Sequence, residues 1–263
     1  MSISLILPIF FGWLAGYLVN YLADVLPVTR RFSRPGCTQC DAPFTLKNYL
    51  LLGSCENGHP RKARTWIVQV SMTALSAYTW VDPPSKIGTI LGFILIIYFG
   101  VVFAIDMEHR LILHPTSIFG SILGLVIGWL KWGLLPTLLG GLGGLLIMLA
   151  FYYFGVLFSR IRTKRMQAMG QEIDDEEALG AGDVILVTIL GFLLGWPLIW
   201  FGLVFGILFG GFISLLIILW LVITRKYETN ALMLFIPYGP YFITSAFLIL
   251  YFPKFVQLFV PGN

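Results

Sequence analysis

The segment from 184 to 223 contains no charged residue, and this feature constrains the fold of the chain more than any other. A membrane-spanning helix needs about 20 apolar residues, so the segment is too long for a single crossing. The sequence Gly195-Trp196-Pro197 is typical of a turn and divides the segment into two spans. Of all 263 residues, 58% are hydrophobic and 11% are charged, whereas soluble domains carry about 25% charged residues. The chain is therefore predicted to be an all-α, polytopic membrane protein with the lipid bilayer as its surroundings.

The apolar pattern predicts a helical bundle of about eight transmembrane helices. The predicted spans are 3–26, 66–82, 87–105, 116–131, 134–158, 184–196, 198–223 and 232–252. Residues 1–26 lack the basic start and the small-residue cleavage site of a signal peptide, so we interpret them as a retained first helix. The predicted division is a first transmembrane helix (1–26), a cytoplasmic cysteine-rich loop (27–65) and a transmembrane core (66–263).

Lysine and arginine residues in the loops predict the orientation of these helices, because cytoplasmic loops are enriched in both. With the N-terminus outside, the cytoplasmic segments would be 27–65, 106–115, 159–183 and 224–231. Together they hold 14 of the 17 Lys and Arg residues. This distribution favours an N-out, C-out protein. Because the basic residues lie in short loops, the net charge of +4 does not indicate a nucleic-acid partner.

Two aspartates lie at the cytoplasmic ends of predicted spans. Asp106 follows the third span, and Asp183 precedes the sixth, directly after Gly180-Ala181-Gly182. A carboxylate at the edge of the hydrocarbon is costly and is by default a functional candidate. Two carboxylates that share one proton can activate water and polarise a peptide carbonyl, and glycines leave room for an extended substrate. We therefore predict that Asp106 and Asp183 are catalytic and that Gly180 and Gly182 contact the substrate.

The first cytoplasmic loop holds all three cysteines of the chain. Cys37 and Cys40 form a Cys-x2-Cys pair, and Cys55 is followed by His59. This spacing is typical of a tetrahedral zinc site, and in a reducing compartment a metal site is more common than a disulfide. The sequence predicts a structural zinc ion bound by Cys37, Cys40, Cys55 and His59, in a small zinc-ribbon-like loop.

Four segments together resemble the type IV prepilin peptidases, membrane aspartyl proteases of the Gly-x-Gly-Asp type that include preflagellin peptidases. These segments are Gly16-Tyr17-Leu18-Val19-Asn20 with Leu26-Pro27, Ile105-Asp106-Met107-Glu108-His109-Arg110, Gly180-Ala181-Gly182-Asp183-Val184 and Ile236-Pro237-Tyr238-Gly239-Pro240. The resemblance implies an aspartic endopeptidase of the bacterial plasma (inner) membrane. It also implies prepilin or pseudopilin substrates, whose short basic leader is removed after a glycine at the cytoplasmic face.

In bacterial members the resemblance also implies a second activity, N-methylation of the new N-terminus with S-adenosylmethionine. Methylation stays open here, because Gln69 stands where those members have a glutamate. Other positions depart from the family pattern as well, among them the run Leu111-Ile112-Leu113-His114-Pro115 after the first aspartate, where the family usually has Ile-Pro-Asp or Ile-Pro-Asn. Ile185 replaces the usual lysine after the second aspartate, and Gly58 stands where a fourth cysteine would fall, beside His59.

Alternatives from other functional classes are an ion- or proton-coupled transporter that uses two membrane carboxylates, and an inactive membrane scaffold. Asn20 and Asp24 share one face of the first helix and either line the site or close the inner end of that helix. The glycine-rich helices are expected to pack closely. The acidic run 174–177 is hypothesised to attract a basic leader.

Overall fold

The computed structural model describes residues 2–37, 39–40, 42–168, 180–224 and 237–254. Its helices in these ranges are α1 (Ser2–Thr29), α2 (Leu46–Leu50), α3 (Ala63–Val81), α4 (Gly88–His109), α5 (His114–Trp132), α6 (Leu134–Ala168), α7 (Ala181–Leu194), α8 (Leu198–Ile223) and α9 (Gly239–Tyr251). Among the described residues, β-type pairing is limited to one isolated antiparallel bridge between Gly36 and Pro43. The predicted all-α class is confirmed for this part of the chain.

Four of the described helices are long and apolar enough to cross a membrane. They are Leu5–Thr29, Gly88–His109, Leu134–Ile161 and Leu198–Ile223. Shorter apolar helices, α7 and α9, occupy the positions of the predicted sixth and eighth spans. The membrane-protein character is therefore supported, whereas eight crossings, the orientation and the division at residues 26 and 65 stay predictions.

Two helix ends differ from the predicted spans. Helix α6 continues to Ala168 instead of stopping at residue 158, because Arg, Lys, Met, Gln and Ala in the basic segment all favour a helix. The last span was predicted from residue 232, but its described helix begins at Gly239. Residues 225–236 lie outside the described ranges, as does the acidic run 174–177.

The chain divides into two compact units, and the first comprises Met1–Thr116. In it, α1, α3 and α4 pack together, with α1 and α3 antiparallel. The paired positions along α1 and α3 are Pro8 with Ser76, Gly12 with Thr73, Gly16 with Gln69 and Asn20 with Thr65. Ser76 donates a hydrogen bond to the Pro8 carbonyl at 2.7 Å, and Asn20 donates to the Thr65 carbonyl at 3.1 Å. Buried polar groups thus reinforce a contact that the two glycines bring close.

The second unit, Ser117–Asn263, is built on close contacts at glycines. A side chain at Gly140 or Gly191 would collide with the backbone of the other helix, so α6 and α7 meet almost backbone to backbone. On α8, Gly202 and Gly206 face Leu194 and Phe242, respectively. The expectation that the glycine runs serve close helix packing is confirmed at these positions.

The turn between α7 and α8 lies where the sequence predicted it. Gly195 ends α7 with a φ of +69°, which favours glycine, and the Trp196–Pro197 peptide is cis. The Trp196 N–H donates to the Pro136 carbonyl at 2.9 Å, and the Trp132 indole donates to the Leu193 carbonyl at 3.1 Å. These bonds attach the turn and the end of α7 to the neighbouring helices α5 and α6.

Candidate active site and metal centre

Asp106 lies in the last turn of α4 and is only 4% exposed. The helix ends three residues later, where Arg110 adopts a left-handed φ of 54° and its N–H donates to the Asp106 carbonyl at 2.9 Å. Ile105 and Val102, on the same helix, are buried as well. The carboxylate is therefore held at the end of an apolar helix rather than in a solvated loop.

Asp183 lies in the first turn of α7, behind the glycine motif. Gly180 is the N-cap residue with an extended backbone, and its carbonyl accepts the Asp183 N–H at 3.1 Å. A negative charge is favourable at this end of a helix, because the helix dipole is positive there. Gly180 and Ala181 are exposed, whereas Asp183 is half-buried. A substituent on Gly180 would lie 3.8 Å from Asp183 Oδ2, so the glycine leaves space directly beside the carboxylate.

Asp106 belongs to the first unit and Asp183 to the second. The structure therefore describes each carboxylate in its own surroundings, and their pairing is a proposal. Ile185, where the family pattern has lysine, is 41% exposed. The departure thus falls on an accessible side chain of α7.

The four predicted metal ligands come together in the cysteine loop. One donor atom from each of Cys37, Cys40, Cys55 and His59 lies within 4.8 Å of the others. Cys40 Sγ and Cys55 Sγ are 3.8 Å apart, and His59 Nδ1 lies 3.4 Å from Cys55 Sγ and 3.9 Å from Cys37 Sγ. A tetrahedral ion with zinc–sulfur bonds of about 2.3 Å separates its sulfurs by about 3.8 Å. The donor set fits zinc, with His59 offering Nδ1.

Two backbone turns build this donor set. The Cys37 N–H donates to the Ala42 carbonyl at 2.9 Å, next to the Gly36–Pro43 bridge. This bond closes the first turn, which contains Cys37 and Cys40. The Cys55 N–H donates to the His59 carbonyl at 3.1 Å, which closes the second turn. Gly58, with a φ of +81°, makes that turn feasible. The glycine that replaces a fourth cysteine therefore brings His59 towards the sulfurs.

Local backbone groups favour the thiolate form of two of these cysteines. Hydrogen bonds from the backbone at Gln39 and at Ala42 lower the pKa of the Cys37 and Cys40 thiols, respectively. Burial raises the pKa of Cys55. Because the thiolate is the metal ligand, the first pair is already suited to binding, and a bound cation would favour deprotonation of Cys55 as well.

The sequence reasoning missed an ion cluster beside the loop. Asp24 accepts hydrogen bonds from the Tyr49 hydroxyl at 3.0 Å and from Arg64. Arg61 Nη1 lies 3.7 Å from Asp24, and Arg64 Nε lies 3.2 Å from Glu108. The basic run 61–64 could have indicated this cluster. It lies directly before a predicted span, in a part of the chain with few acidic residues to pair with its charges.

Comparison with known proteins gives one match. Residues 93–215 match the profile of the type IV leader peptidase family. No curated protein and no solved structure matches the chain significantly. The matched segment contains Asp106, Gly180, Gly182 and Asp183, and it indicates a protease.

Proposed function

We propose, because residues 93–215 match the profile of the type IV leader peptidase family, that the chain is an aspartic endopeptidase of the bacterial inner membrane. It cleaves the basic leader of prepilins or pseudopilins after a glycine, at the cytoplasmic face. The observation that carries the proposal is the family match across a segment with two aspartates at helix ends. Leader peptides carry their basic residues on the cytoplasmic side, and the topology predicted from loop charge would bring both helix ends to the same side.

The proposed catalytic groups are Asp106 and Asp183, which share one proton when they come together. The ionised carboxylate takes a proton from water as the water oxygen attacks the scissile carbonyl carbon. The protonated carboxyl hydrogen-bonds the carbonyl oxygen as negative charge develops on it. The tetrahedral intermediate then collapses, the carbon–nitrogen bond breaks, and the leaving amine takes a proton from the dyad. The proton state belongs to the pair and not to either residue.

Gly180 and Gly182 are proposed to receive the substrate backbone. The support is local, since Gly180 is exposed and the space next to Asp183 is open. An extended peptide beside this segment would bring its carbonyl close to the start of α7, where the helix dipole stabilises negative charge.

Zinc is the proposed resident ion of the cysteine loop, where it would supply a cross-link between two turns of a segment with little apolar core. Methylation with S-adenosylmethionine is not part of the proposal. Gln69 is fully buried, and its amide donates to the Trp13 carbonyl on α1. An ionised glutamate cannot donate this bond, so the glutamine has a structural role between α1 and α3.

Co-expression with a prepilin tests the proposal, read out by mass spectrometry of the pilin N-terminus. The native chain is expected to remove the leader, whereas Asp106→Asn and Asp183→Asn each reduce cleavage to background at unchanged protein levels. Asp82→Asn is the matched control, because it makes the same change at an exposed position after α3. Cleavage by either single variant at the native rate would overturn the dyad, and an added methyl group in the spectrum would reopen methylation.

A further inference from the structure

The cluster of Asp24, Tyr49, Arg61, Arg64 and Glu108, here called the Asp24 cluster, joins three helices and the cysteine loop of the first unit. Asp24 comes from the inner end of α1, Arg64 from the first turn of α3, and Glu108 from the last turn of α4. Tyr49 and Arg61 come from the cysteine loop, and Arg61 is two residues from His59. The metal centre and the end of α4 are thus connected through a few side chains.

Arg64 is the central member of the cluster. Its guanidinium contacts Asp24 through Nη2 and lies 3.2 Å from Glu108 Oε1 through Nε. A cation in the first turn of a helix is unfavourable, because the helix dipole is positive there. The two carboxylates offset this cost, and the side chain is only 14% exposed. Arg64 therefore fixes the end of α4 relative to α1, two residues beyond Asp106.

Arg61 attaches the cysteine loop to the carboxylate of Asp24. Its side chain is 5% exposed, and the guanidinium carbon lies 4.0 Å from the ring centroid of Phe44 and 4.1 Å from that of Tyr49. Such stacking suits a guanidinium, which sheds water more readily than an ammonium group. Burial raises the pKa of Tyr49, so its hydroxyl stays protonated and donates to Asp24. The loop is thereby held against α1 by two of its own side chains.

We propose that the Asp24 cluster transmits the folded state of the metal loop to the turn of α4 that carries Asp106. Glu108 is then a positioning residue, and loss of the metal loosens the α4 end through Arg61, Asp24 and Arg64. Paired buried charges suit this task, because removing one member leaves its partner buried without compensation. Asp24 and Glu108 face the guanidinium groups of Arg61 and Arg64, and the more exposed ammonium group of Lys62 lies 3.5 Å from Glu108.

Hydrogen exchange of the purified full chain tests the coupling without any substrate. In the zinc-loaded native protein, amides 107–110, which are hydrogen-bonded in the last turn of α4, are expected to exchange slowly, and a zinc chelator should speed their exchange by about tenfold or more. In Glu108→Gln the same amides should exchange quickly with zinc bound and should no longer respond to the chelator. Asp82→Asn, at the other end of α3, is expected to respond like the native protein.

If Glu108→Gln does not fold, Tyr49→Phe tests the coupling at the loop, because it removes only the hydroxyl that binds Asp24. In this variant the chelator should speed amide exchange at the end of α4 less than in the native chain. An α4 end that ignores the chelator in the native protein would overturn the coupling. An undiminished response in both variants would do so as well.

The positioning role also has a kinetic test, which rests on the proposed function. A small misplacement of a reacting group lowers kcat by about 10- to 100-fold while substrate binding persists. Glu108→Gln is therefore expected to lower kcat with KM unchanged. A raised KM with native kcat would show that Glu108 binds the basic leader instead, and would overturn positioning. If the native chain cleaves no prepilin, the proposed function fails, whereas the exchange experiment still decides the coupling.

Discussion

At the level of single residues, the candidate metal centre depends on the direction of one histidine ring. His59 directs Nδ1 towards the sulfurs of Cys55 and Cys37, at 3.4 and 3.9 Å. Spacing alone gave the four ligand positions, but not which ring nitrogen faces the donors. The turn at Gly58 and the Cys55–His59 backbone bond bring the His59 backbone close to Cys55, from where Nδ1 reaches the sulfurs.

Replacing this ligand gives a prediction at the same scale. His59→Ala should lower the zinc content of the purified protein, because three thiolates leave one tetrahedral position to water. His59→Cys should retain zinc, since it restores a donor of the preferred class. His114→Ala is the control, because this exposed histidine starts α5 and lies outside the donor set. Equal zinc contents in His59→Ala and the native protein would exclude His59 as a ligand.

At the level of helices, glycine determines which pairs can approach. Helices α6 and α7 meet at Gly140 and Gly191, where a methyl group on either residue would strike the backbone of the other helix. Gly211 on α8, by contrast, has open space around its missing side chain. In the sequence, Gly191 and Gly211 are both glycines of apolar helices, and only the presence of a neighbouring helix distinguishes them.

Paired substitutions test this difference. Gly191→Ala should lower the free energy of unfolding by about 1–3 kcal/mol, because the backbone of α6 has to shift. Gly211→Ala should be neutral or stabilising by up to about 1 kcal/mol, since alanine favours a helix more than glycine does. Thermal unfolding in the same detergent measures both variants. Similar losses at both positions would contradict backbone contact as the cause.

At the level of the whole molecule, loop charge predicts the orientation in the membrane. The predicted topology puts the cysteine loop in the cytoplasm and the C-terminus outside, because 14 of 17 basic residues then face the cytoplasm. The described helices agree with the predicted spans in position. Four of them meet the length and hydropathy needed to cross a bilayer.

Reporter fusions test the topology. A reporter active only outside the inner membrane should work when fused after Asn263, but not after residue 168. A fluorescent protein that matures only in the cytoplasm should give the reverse pattern. Both reporters are read in intact cells and normalised to the amount of fusion protein. A C-terminus in the cytoplasm would require an odd number of crossings or the opposite orientation.

Local sequence patterns were enough to predict the all-α membrane class, the positions of most helices, the turn at Gly195 and the four clustered metal donors. These depend on local pattern: apolar length, turn residues and ligand spacing act within a few residues of chain. The continuation of α6 to Ala168 was missed, because a basic helix carries no apolar signal. The Asp24 cluster was missed for a different reason. Its members are up to 84 positions apart, from Asp24 to Glu108, and only the packing of α1, α3 and α4 gives each buried charge its partner.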